Sequence, residues 1–108
     1  MPSSSYQTIR QAMEDLAQVH TTYQGHHREL CVHEIGIGPK GNEQILAYQF
    51  GGTSSKGLAS AMDEKDRWRC LDIALMQDIA VVAGPWHTGT NRGPGNYCIE
   101  ITDLVIHP

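Results

Sequence analysis

Two alternating segments joined by a dense turn constrain this chain more than any other feature. Leu30-Cys31-Val32-His33-Glu34-Ile35 reads with a period of two, and Gly38-Pro39-Lys40-Gly41-Asn42 is a strong turn signal. Glu43 to Phe50 alternates again, with Leu46, Tyr48 and Phe50 set against Ile45, Ala47 and Gln49. The pattern predicts a β-hairpin. Leu30 and Val32 are expected on one face, with Cys31, His33, Ile35 and Ile37 on the other.

A hairpin cannot stand alone in water, and the flanking sequence supplies its partners. Ile9, Met13, Leu16 and Ala17, with Ala12 and Val19 nearby, recur at helical spacing. They predict a helix over about 5–19. Ser4 followed by Gln7 reads as its capping box, with Ser3 or Ser5 as alternative caps. The stripe is too short for an isolated helix, so it must pack on a sheet. Further strands are expected at Thr21-Thr22-Tyr23, Arg67–Ile73, Ile79–Val82 and Tyr97–Ile106, with a helical turn at Ala74–Asp78. In the second of these, Trp68 and Cys70 should lie opposite Arg69, Leu71 and Ile73. Tyr97, Ile99 and Ile101 should share one side of the last. Two glycine-rich loops, 51–66 and 84–96, complete the chain.

At 108 residues the chain has the length of one domain, 1–108, with no internal repeat. One helix followed by five or six short strands predicts an α+β fold, mainly β. The helix should pack on a small β-barrel over about 20–107, since closure removes unpaired edges. The formal net charge of −4 argues against a broad phosphate-binding face. No apolar run reaches the roughly 18–20 residues of a membrane span. Cys31, Cys70 and Cys98 form no even disulfide framework, and polar residues follow Met1, so a reducing cytoplasm is expected.

Several of these residues, taken in order, carry a family resemblance. Residues about 7–82 resemble the WYL domain, an Sm-like or SH3-like small barrel. Tyr23-Gln24-Gly25 looks like the family's first strand end and Arg28 like its arginine. Val32-His33-Glu34-Ile35 takes the place of the Pro-aromatic-x-Leu segment, and Gln44-Ile45-Leu46 that of Trp-Tyr-Leu, with only the leucine kept. Arg69-Cys70-Leu71 matches Arg-x-Phe, with Leu for Phe. Ala74-Leu75-Met76 stands where Asp-Arg-Ile would be. The resemblance implies a non-enzymatic sensing module that uses basic residues to bind a small anionic ligand or a short nucleic-acid segment.

The expected ligand site is therefore Tyr23, Arg28, His33, Trp68 and Arg69. Guanidinium forks suit phosphate or carboxylate, and aromatic rings suit a flat ligand. The alternative for the arginines is solvated pairing with Glu29, Asp66 or Asp72. Aromatics at alternating strand positions also fill cores, as expected of Tyr48 and Trp68, whereas Trp86 is the better candidate for exposure. Neither a metal nor a cofactor is expected. Cys31-x-His33, His26-His27 and His87 offer ligand atoms, but no C-x-x-C, H-x-x-x-H or H-E-x-x-H spacing occurs. Two other functions are weighed. One is a protein-interaction subunit, binding a second copy or another protein through loops 51–66 and 84–96. The other is a small metal or thiol enzyme built on Cys31, His33 and His87.

Overall fold

In the computed structural model the described residues are 2–55, 57–63, 66–89 and 98–106. Ser3, one of the alternative caps, starts the helix: its Oγ accepts from the Tyr6 N–H at 3.1 Å. Helix α1 then runs only over Ser4–Glu14. It stops short of the expected end because Leu16 turns into the left-handed region, at φ 51°. Ala17 and Val19 thus leave the helix, and Val19 enters the first strand, where it is fully buried.

The strands are β1 (Gln18–Tyr23), β2 (His26–Ile37), β3 (Glu43–Ser54), β4 (Gly57–Leu58), β5 (Trp68–Asp72), β6 (Gln77–Val82) and β7 (Ile101–Val105). The expected hairpin is present as β2 and β3, paired from Arg28↔Gly52 to Ile37↔Glu43. It forms the centre of one antiparallel sheet. On the outer side of β2 lie β1 and, further along, β7. On the outer side of β3 lie β5 and the short β4. Strand β6 pairs with the far side of β1.

The sheet does not close. Its hydrogen-bonded path runs β4-β3-β2-β1-β6, with β5 and β7 as side branches, and no ladder among the described residues joins β6 to β4 or β5. The expected SH3/Sm-like barrel is therefore wrong, although an α+β, mainly β fold with one N-terminal helix stands. Closure is one remedy for exposed edges and covering is another. Here α1 covers one face, packing on β1, β2 and β6.

The two faces carry different cores. The helix face gathers Ile9, Met13, Val19, Leu30, Val32, Ile35, Ile45, Ala47, Leu71 and Ile73. The opposite face gathers Leu46, Tyr48, Trp68 and Ile99, with Phe50 and Cys98 packed alongside. Ile35 lies on the helix face because the β2–β3 register shifts between Val32 and Glu34. That bulge reverses the strict alternation expected for Ile35. Ile99 is buried while Ile101 is 64% exposed, so those two do not share a side as expected.

Loop 51–66 is more regular than its glycines suggest. Strand β3 continues through it to Ser54, β4 follows, and Ala59–Ala61 form a 3-10 turn. The turn expected at Ala74–Asp78 is a 3-10 turn over Ile73–Leu75, capped by Asp72 Oδ1 at the Ala74 N–H. Cys70 and Cys98 form a disulfide between β5 and the segment before β7, which overturns the expectation of unpaired cysteines. Residues 90–96 of the second loop, and Tyr97, lie outside the described residues.

Candidate anion-binding cleft

Arg28 is the third residue of β2, paired with Thr21 on one side and Gly52 on the other. Its face is fixed by Leu30 and Val32, two and four residues on, which enter the helix-side core. The guanidinium is therefore carried inward, and the residue is only 3% exposed. Its carbon lies 5.1 Å from the centre of the Tyr23 ring, in cation–π contact.

One neutral group is aimed at this charge. Gln49 is fully buried, and its Nε2 donates to the carbonyls of Gly51 and Thr53, both at 3.1 Å. Those two bonds fix the amide so that Oε1 faces Arg28, accepting from Nη1 at a long 3.4 Å. The Arg28 Nε is buried with no hydrogen-bond partner among the described residues.

Arg69 is brought to the same place by β5. Tyr48↔Trp68 and Ala47↔Arg69 pairing puts Trp68 on one face and Arg69 on the other. Arg69 Nη1 donates to the carbonyls of Asp66 and Trp68 at 2.6 and 2.9 Å, which holds the side chain in place. Burial lowers the pKa of both arginines, and the Arg69 charge lowers that of Arg28 further. Among the described residues neither makes a salt bridge. The alternative of pairing with Glu29, Asp66 or Asp72 is thus not what the side chains do.

Tyr23, Gln24, Arg28, Ser54, Ser55, Arg69, Cys70 and Leu71 line a cleft of about 190 Å³. Gly52 helps to shape it. It stands opposite Arg28 at φ 82°, where a Cβ would strike the His27 carbonyl. Its left-handed conformation lets the end of β3 carry Ser54 to the cleft wall. In the sequence the two serines belong to the glycine-rich loop 51–66, which is the signal that marks them there.

Tyr23, Arg28 and Arg69 therefore come together, while His33 and Trp68 lie on the opposite face. The His33 ring packs between Trp68, at 4.8 Å, and Trp86, at 4.9 Å. Its nitrogens bond the Cys31 carbonyl and the Thr88 hydroxyl at 2.9 and 3.0 Å. Trp68 is buried in contact with Tyr48, as expected of a core residue. Trp86 is half-buried rather than exposed. The Cys31 Sγ takes its hydrogen bond from the main-chain N–H of His87, and burial pushes the thiol up to about 11. A thiol so protonated is a poor nucleophile and a poor metal ligand near neutrality.

No family model matches the chain, nor does any curated protein or any solved structure. With the sheet open as well, the resemblance to the WYL domain is overturned. It rested on isolated residues such as Arg28, Leu46 and Arg69, and single arginines and leucines at strand positions are too common to define a family. Among the described residues no helix is long and apolar enough to cross a membrane.

Proposed function

We infer that the chain is a non-enzymatic binding module that takes a small anion in the cleft of Tyr23, Arg28 and Arg69. The observation that carries this reading is the buried Arg28 guanidinium, which has no carboxylate partner among the described residues, beside a second arginine. A buried charge without a counter-ion is costly, and an arriving phosphate or carboxylate would supply one. The guanidinium forks favour a planar or tetrahedral oxyanion. The Ser54 and Ser55 hydroxyls add neutral donors, and Tyr23 an aromatic wall. The cleft is smaller than the roughly 300 Å³ at which drug-sized pockets begin. That size and the net charge of −4 favour a small anion, or one anionic group of a larger molecule, over a nucleic-acid track.

Calorimetric titration with inorganic phosphate, sulfate and acetate tests the reading. The parent protein should bind at least one of them. Arg28→Met and Arg69→Met should each bind about 10- to 100-fold more weakly, the loss expected for a hydrogen bond to a charged group. No binding by the parent, or equal binding by both variants, would overturn it.

A further inference from the structure

A second constellation lies across the sheet from the anion cleft. His20 and Glu29 are direct partners in the β1–β2 ladder, and His27 is two residues before Glu29. The three side chains thus share a face, and their ligand atoms all lie within 4.8 Å of one another. Sequence spacing hides this set, because its members come from two strands in cross-strand register.

We propose that His20, His27 and Glu29 bind one late first-row divalent metal ion of the zinc type. Two imidazoles and one carboxylate form a recognised zinc donor set, with a fourth position left for water or a further ligand. Tetrahedral bonds of zinc length place ligand atoms roughly 3.3 Å apart. His27 Nε2 and Glu29 Oε2 already stand at 3.2 Å. The proton between them is the one the ion replaces; it leaves to solvent or to His27 Nδ1.

Surrounding groups hold these ligands as metal ligands are usually held. Gln18 Nε2 donates to the Pro85 carbonyl at 2.8 Å, which turns Oε1 toward His20 Nε2 at 3.1 Å. His20 Nε2 must then carry the ring proton in the neutral form, and Nδ1 is left with the lone pair. A Cβ at Gly84 would collide with this Gln18 amide. Across the ladder from Glu29 stands Gly51, where a Cβ would collide with the Glu29 carboxylate. Both glycines leave room for the groups that set the site. The Phe50 ring, 6.3 Å from His20 and stacked on His87, gives it an apolar wall.

The test is titration of the tag-free chain with Co²⁺, read by its visible d–d bands, followed by displacement with Zn²⁺. The parent should take up one equivalent, and Mg²⁺, which prefers oxygen ligands, should not compete. His27→Ala and Glu29→Gln should each weaken binding tenfold or more. Both side chains reach solvent, at 59% and 33% exposure, so the variants should melt like the metal-free parent. Gln18→Ala and Gly51→Ala, which touch only the positioning, should lose about tenfold or more. Cys31→Ser should bind as the parent does, with no thiolate-to-cobalt charge-transfer band. Absence of binding by the parent, unchanged affinity in both His27→Ala and Glu29→Gln, or loss in Cys31→Ser would each overturn the proposal. The anion cleft shares no residue with this site, so either can fail without the other.

Discussion

Arg28 places a permanent charge where the strand pattern calls for an apolar side chain. Leu30 and Val32 follow it on the same face and are buried as alternation requires. The stability of Arg28→Met discriminates sharply between roles. If the guanidinium is there to bind, an apolar chain of similar length removes an uncompensated charge, and the variant gains about 1–3 kcal/mol in urea unfolding. If it is structural, through Tyr23 and Gln49, the same change destabilises. Stabilisation together with lost anion binding is the expected pair of results. The sequence supplied the arginines and Tyr23, since residue type alone points to anion chemistry. Strand alternation already set Trp68 opposite Arg69 and His33 opposite Leu30 and Val32, so the face of each was legible, and only their grouping into one site was wrong.

At the scale of elements, contacts far apart in sequence fix how the pieces meet. Helix α1 is tied to β7 by Asp103, whose Oδ2 accepts from Tyr6 OH at 2.6 Å and from Arg10 Nε at 2.9 Å. The Tyr6 bond, then the Arg10 bond, hold the Asp103 carboxyl below its usual pKa. Burial and Asp103 hold the Tyr6 phenol above its own. A depressed carboxyl stabilises the fold above its unfolded pKa and loses that contribution as pH falls through the folded value. A raised phenol stabilises below its unfolded pKa and loses its share as pH rises through the folded value. Asp103→Asn should therefore melt below the parent at pH 7, and the gap should close below about pH 4. Thermal melts across pH 2–8 read this directly.

The docking of β7 has a separate requirement. Gly36 in β2 leaves no side chain between the strands, and a Cβ there would strike the Ile101 carbonyl and the Ile99 side chain. Gly36→Ala should cost about 1–3 kcal/mol. It should also speed hydrogen exchange at the Glu100 and Ile106 amides, which bond the carbonyls of Ile37 and His33. Periodicity revealed β2, β3 and the helical stripe because each has a long apolar repeat. The end of the helix was hidden, since a single left-handed Leu16 ends it without glycine or proline.

Over the whole molecule, the disulfide ties β5 to the segment before β7, two branches of the sheet that share no ladder among the described residues. Cys70 and Cys98 are 28 residues apart, and closing such a loop in the unfolded chain stabilises the fold by about 3–4 kcal/mol. Reduction with a phosphine should lower the melting temperature, and Cys70→Ser with Cys98→Ser should reproduce the reduced melt without reductant. Identical melts before and after reduction would show that the bond contributes nothing.

The helix stripe, the central hairpin and the charged residues available for binding are all legible in the linear chain. These depend on local periodicity and residue type, which one chain displays directly. Folding in three dimensions sets the open sheet, the meeting of Cys70 with Cys98, the cleft shared by Arg28 and Arg69, and the gathering of His20, His27 and Glu29 on the other face. Each of those outcomes depends on strand register and on contacts between distant segments. A shift of one residue at a bulge changes which face a side chain takes, and that shift leaves no clear mark in local sequence.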